Sequence, residues 1–88
     1  MARSVVSGSL ESSDCLITLT EAGETSVQVD TIVHEAFQRH LESLIRETLK
    51  QSGVKNIKVH CQDQGALDYT IKARLEAALA RYEENDDG

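Results

Sequence analysis

Cys15-Leu16-Ile17-Thr18-Leu19-Thr20 is the stretch on which the fold turns. Its residues alternate: Cys15, Ile17 and Leu19 face one way, and Leu16, Thr18 and Thr20 the other. That period of two, with β-branched residues in it, is the pattern of a half-buried strand. Upstream, Val5 to Leu10 (VVSGSL) is a second apolar-rich stretch, a strand weakened or bulged at Gly8. Glu11-Ser12-Ser13-Asp14 separates the two. These are small or polar turn-forming residues, so the pair reads as a β-hairpin with the serines at its tip.

Downstream, Glu21-Ala22-Gly23-Glu24 makes another turn, and Thr25 to Asp30 (TSVQVD) a third strand with Val27 and Val29 inward. Asp30 or Thr31 offers a side-chain oxygen to the free N–H groups of a helix start. The helix is expected to run to about Gln51. Val33, Phe37, Leu41, Leu44, Ile45 and Leu49 form one apolar stripe along it. Gly53 suits the left-handed conformation that ends a helix. Val54 to Cys61 (VKNIKVHC) alternates again, with Ile57, Val59 and Cys61 inward. A second helix is expected to start between Asp63 and Ala66 and to run to about Tyr82. Its stripe is Leu67, Ile71, Leu75, Ala78, Leu79 and Tyr82. The predicted fold class is α+β: a two-layer sandwich in β-β-β-α-β-α order, with a mixed sheet and two helices on one face.

At 88 residues the chain makes one domain. We expect residues 1–82 to form it and residues 83–88 to be an acidic, frayed tail. That tail holds four of the chain's 15 acids and no base, so the net charge of −6 belongs mostly to it and the body is nearly neutral. The acidic balance and the 3% aromatic content argue against nucleic acid as a partner. No apolar run approaches the roughly 18–20 residues of a membrane span. Met1-Ala2-Arg3-Ser4 lacks the apolar core of a signal peptide, so the expected place is the cytoplasm, with both cysteines reduced.

Catalytic constellations are hard to assemble. His34 and His40 are six apart and project from different faces of one helix. His60 and Cys61 are neighbours on a strand and point to opposite faces. Cys15 and Cys61 fall in phase with the inward residues, as core thiols do. No catalytic residue and no metal ligand is therefore assigned. The turn by itself makes Ser12 an ordinary polar turn residue. Arg74 and Arg81 lie seven apart on one face of the last helix, and two roles stay open for them: a solvated face with intrahelical pairs, or a contact with partner subunits or phosphates.

Two segments change the reading when taken together. One is Gly8-Ser9-Leu10-Glu11-Ser12-Ser13-Asp14, a G-x-L-E-S-x-D stretch. The other begins at Asp63, runs through Gly65-Ala66-Leu67-Asp68, and continues in the helix Ala73-Arg74-Leu75-Glu76-Ala77-Ala78-Leu79-Ala80-Arg81. The pairing resembles the acyl carrier protein (gamma subunit) family of citrate lyase, over nearly the whole chain.

The resemblance implies a non-catalytic carrier whose turn serine bears 2'-(5''-phosphoribosyl)-3'-dephospho-coenzyme A through a phosphodiester. The matching serine is Ser12, with Ser13 as the fallback and Glu11 and Asp14 flanking. The family often has glycine where this chain has Ser13, and serine is costlier than glycine at positive φ. The implied partners are a prosthetic-group transferase and the lyase's alpha and beta subunits. In the resembling family the alpha subunit exchanges acetyl for citryl on the arm, and the beta subunit cleaves citryl thioester to oxaloacetate. The rival functions are the carrier of a related lyase, such as citramalate lyase, and an unmodified small α+β interaction or ligand-sensing module.

Overall fold

A computed structural model describes residues 3–84. The order is β1 (Ser4–Gly8), β2 (Cys15–Glu21), β3 (Ser26–Thr31), α1 (Glu35–Ser52), β4 (Ile57–Asp63) and α2 (Asp68–Glu84). The four strands form one mixed sheet in the order β1-β2-β4-β3. β1 and β4 run antiparallel to β2, and β3 runs parallel to β4. Parallel neighbours cannot be joined by a tight turn, and α1 supplies the crossover.

The alternation read from the sequence sets which face is covered. Val5, Cys15, Ile17, Leu19, Val29, Ile57, Val59 and Cys61 are buried on one side of the sheet. Leu41, Ile45 and Leu49 of α1 and Ile71, Leu75, Ala78, Leu79 and Tyr82 of α2 complete the core. α1 packs on β3, and α2 on β1 and β2, with the helices side by side. Among the described residues, no helix covers the sheet's other face, from Val6 across Thr18 and His60 to Gln28.

Element ends depart from the sequence-based expectation, and each departure has a cause. Asp30 and Thr31 do not cap α1, because β3 continues through them to pair with Gln62 and Asp63. The Thr31 hydroxyl donates to Asp63 Oδ2 (2.8 Å), and His60 Nε2 lies 2.6 Å from Asp30 Oδ2. The cap is His34, whose Nδ1 accepts the Ala36 N–H at 3.0 Å. Val33 therefore lies outside the helix and is exposed.

α2 starts later than expected, because the Asp63 carboxylate is spent within the structure. It accepts the Ala66 N–H at 2.9 Å as well as the Thr31 hydroxyl, and is only 1% exposed. The first helical N–H groups bond instead to the Leu67 carbonyl, which leaves the Leu67 side chain outside the buried stripe. Gly53 ends α1 at φ 77, its N–H bonded to the Leu49 carbonyl. Glu83 and Glu84 continue α2, and the rest of the expected tail lies outside the described residues.

Candidate functional site

Ser12 and Ser13 are the central residues of a turn closed by the Asp14 N–H donating to the Glu11 carbonyl (3.1 Å). Ser13 has φ 66, whereas Ser12 is not at positive φ. That combination is the type II sense, in which the third position favours glycine. The expected cost of serine there is thus a real feature of the backbone. Both serines are exposed, and among the described residues nothing hydrogen-bonds either hydroxyl.

The turn itself is anchored. The Ser13 N–H donates to the Gln64 carbonyl and the Gln64 N–H to the Asp14 carbonyl, both at 2.9 Å. This exchange carries the β2–β4 ladder one step past Cys15 and Asp63. Ser9 ties the two sides of the loop, donating its hydroxyl to Asp14 Oδ2 (2.7 Å) and accepting the Glu11 N–H (3.2 Å).

Asp14 is the hub of the loop. Its Oδ1 accepts the Cys15 N–H (2.7 Å) and Arg74 Nε (3.0 Å), and its Oδ2 accepts Arg74 Nη2 (2.7 Å) beside the Ser9 hydroxyl. Four donors fill the carboxylate's lone-pair directions, and the two-pronged guanidinium fixes its plane. Hydrogen bonds from Arg74 and then Ser9 hold the Asp14 carboxyl down at a pKa of about 2. A carboxylate so committed is a poor base, and it serves here as a strut. Glu11 points to solvent, with its backbone carbonyl closing the turn.

Gly8 permits the loop to close. A Cβ on Gly8 would sit 1.9 Å from the Cys15 carbonyl oxygen, and its φ is 97. Only glycine allows this approach and lets the Ser9 N–H reach the same carbonyl at 3.1 Å.

Sequence reasoning placed Ser12, Ser13 and Asp14 in one turn but did not find what holds it. Arg74 lies 60 residues from Asp14 along the chain. The intrahelical pairs left open for Arg74 and Arg81 do not form among the described residues. Arg74 clamps Asp14, and Arg81 Nη1 donates to the Val6 carbonyl of the edge strand (2.7 Å). Their seven-residue spacing was the available signal, because it aims both at the hairpin. The thiols are free and buried. The neighbouring Cys15 thiol and burial push the Cys61 thiol far up. His40 Nε2 contacts Asp68 Oδ2 at 2.6 Å across the two helix starts.

Comparison with known proteins bears on this geometry. The family model described as "ACP: Malonate decarboxylase delta subunit (MdcD)" matches residues 2–82. The citrate lyase acyl carrier protein of Treponema denticola is 38% identical over 82 residues, covering 93% of this chain and 94% of the relative. The chain belongs to this acyl carrier family. Relatives of the same description occur in Klebsiella pneumoniae (40% identical over 78 residues, 86% of this chain and 80% of the relative) and Lacticaseibacillus casei (43% over 79 residues, 89% and 78%). A chain in the crystal structure of a Pseudomonas malonate decarboxylase hetero-tetramer in complex with malonate shares the acyl carrier fold. It superposes with a TM-score of 0.75 at 22% identity, over 90% of this chain and 82% of that one. Membership makes this an acyl carrier and implies a prosthetic group. It also gives the two family segments a physical meaning: in the folded chain they meet, through Asp14 with Arg74 and through Ser13 with Gln64.

Proposed function

We propose that Ser12 bears the carrier's prosthetic group, and that the chain serves citrate lyase as a non-catalytic subunit in the cytoplasm. The observation that carries this is an exposed, unbonded hydroxyl at the tip of a turn braced from beneath by the Asp14–Arg74 pair. A carrier needs a hydroxyl that a transferase can reach, on a base that does not move when the arm swings. The Ser12 turn fits such a group. Its side chain leads outward, and Asp14, which would otherwise repel a phosphodiester at close range, is neutralised by Arg74.

We assign the group as 2'-(5''-phosphoribosyl)-3'-dephospho-coenzyme A, which supplies a thiol that holds an acyl group as a thioester. The protein supplies position, and tethering raises the acyl group's effective concentration at each active site visited. The partners are a prosthetic-group transferase and the lyase's alpha and beta subunits.

Intact mass tests the assignment. Protein made in its native host, or with the modifying enzymes, gains one coenzyme-derived mass on the peptide that contains Ser12. Ser12→Ala abolishes the gain and Ser13→Ala keeps it. A bare Ser12 in such material refutes the proposal.

A further inference from the structure

The exposed apolar residues are unevenly placed. Among the described residues six large hydrophobic side chains are exposed: Val6, Leu10, Ile32, Val33, Leu67 and Tyr69. All except Val6 lie at one pole. There the serine turn meets the end of β3, the end of β4 and the starts of both helices, around the register row Cys15–Asp63–Thr31. Leu67 is 61% exposed and Tyr69 72%. A depression of about 330 Å³ lies between Val33–Phe37 and Gly65–Leu67, lined almost wholly by apolar surface. It adjoins the serine turn, whose Ser13 N–H bonds to Gln64 next to Gly65. A concentrated patch of this kind on a small domain marks an interaction site.

Charge selects the occupant. Segments 9–14, 30–38 and 62–69, which build this pole, hold six carboxylates and no lysine or arginine. Asp14 is neutralised by Arg74, and Asp63 is buried. Glu11 and Glu35 remain exposed around the apolar patch, and Asp30 and Asp68, also exposed, each meet a histidine at 2.6 Å, His60 and His40. At the opposite pole a depression is bordered by Arg46, Lys50 and Lys55. A second copy of the same pole would bring like charges together. An arm bearing phosphates would meet the same repulsion.

On the carrier assignment made above, we propose that this pole docks onto a protein surface with an apolar projection ringed by lysine or arginine, on the catalytic subunits the arm must enter. Apolar contact gives the patch its hold, and the acidic rim steers and orients the approach.

The probe is the host's own purified citrate lyase catalytic subunits, titrated into ¹⁵N-labelled carrier made together with the modifying enzymes. Shift changes are expected in residues 10–13, 32–37 and 65–69, with affinity falling as salt rises. Leu67→Ser and Tyr69→Ala should each weaken binding about tenfold or more, as central apolar contacts do. Serine at the helix-capping position suits the fold, so an unchanged melting temperature checks that folding is intact. Lys55→Glu at the far pole should bind as the wild type does.

Shift changes confined to the far pole or the open sheet face overturn the proposal, as does binding within about twofold for both patch variants. So do changes at this pole that follow carrier concentration alone, which would identify a second copy, or loading alone, which would identify the arm. The carrier assignment is judged separately by intact mass. A bare Ser12 with shifts at this pole refutes that assignment and upholds the surface. A loaded Ser12 with shifts elsewhere does the opposite.

Discussion

Gly8→Ala is the sharpest test of how the serine turn is built. The new methyl would lie 1.9 Å from the Cys15 carbonyl oxygen, against a usual contact above 3 Å, so the end of β1 must move by more than about 1 Å. The move breaks the bond from the Ser9 N–H to that carbonyl, a loss of about 1 kcal/mol. It also leaves alanine near φ 97, a sparsely populated backbone that costs about 1–3 kcal/mol. The total is about 3 kcal/mol, a large part of the roughly 4–13 kcal/mol expected for a domain of this length. The melting temperature should fall by roughly 12–24 °C. Urea and thermal melts followed by circular dichroism measure the loss. Gly23→Ala is the control, because nothing lies within 4 Å of a Cβ there and its φ is not positive. It should be neutral or slightly stabilising. If Gly8→Ala costs less than about 1 kcal/mol, or no more than the control, the close approach is not what shapes the loop.

Other expectations follow from the same structure. Asp14 should titrate near 2, so its stabilising contribution is whole above the ordinary carboxylate pKa of about 4 and fades as pH falls toward 2. Carbon-13 NMR titration reads this directly. Arg74→Met should move the Asp14 midpoint upward, and an unmoved midpoint would remove Arg74 from its role. Ser13→Gly should raise the unfolding free energy from urea melts by up to about 1 kcal/mol and leave Ser12 loading intact, because it relieves φ 66; a clear destabilisation would contradict the turn assignment. Asp63→Ala strands the Thr31 hydroxyl and the Ala66 N–H and should cost about 2–4 kcal/mol in urea melts. A cost under about 1 kcal/mol would show those bonds to be dispensable. Cys15 and Cys61 should react with a thiol reagent only as fast as the fold opens, and a burst phase before unfolding would contradict their burial.

Much of the fold was legible because its signals are local. Alternation in Cys15–Thr20 and Ile57–Cys61 identified the buried sheet face, and the spacing of Leu41, Ile45 and Leu49 identified the buried face of α1. Those patterns need no knowledge of the partner strand. Helix starts were less legible, because Asp30, Thr31 and Asp63 each resemble a cap in sequence. Each also has a partner distant in the chain that the sequence does not show: His60 for Asp30, and each other for Thr31 and Asp63.

The candidate site divides in the same way. By itself the sequence determined that a polar turn carries Ser12 and Ser13 between two strands, because turn chemistry is written in consecutive residues. It also determined that Gly8 stands apart, though not why. Tertiary structure alone decided that Arg74 braces Asp14 across 60 residues, that Gln64 holds Ser13, and that an apolar patch gathers beside the turn. Hydrogen bonds and charge pairs select partners by distance in space, and strand order and register set that distance only once the chain has closed into its sheet.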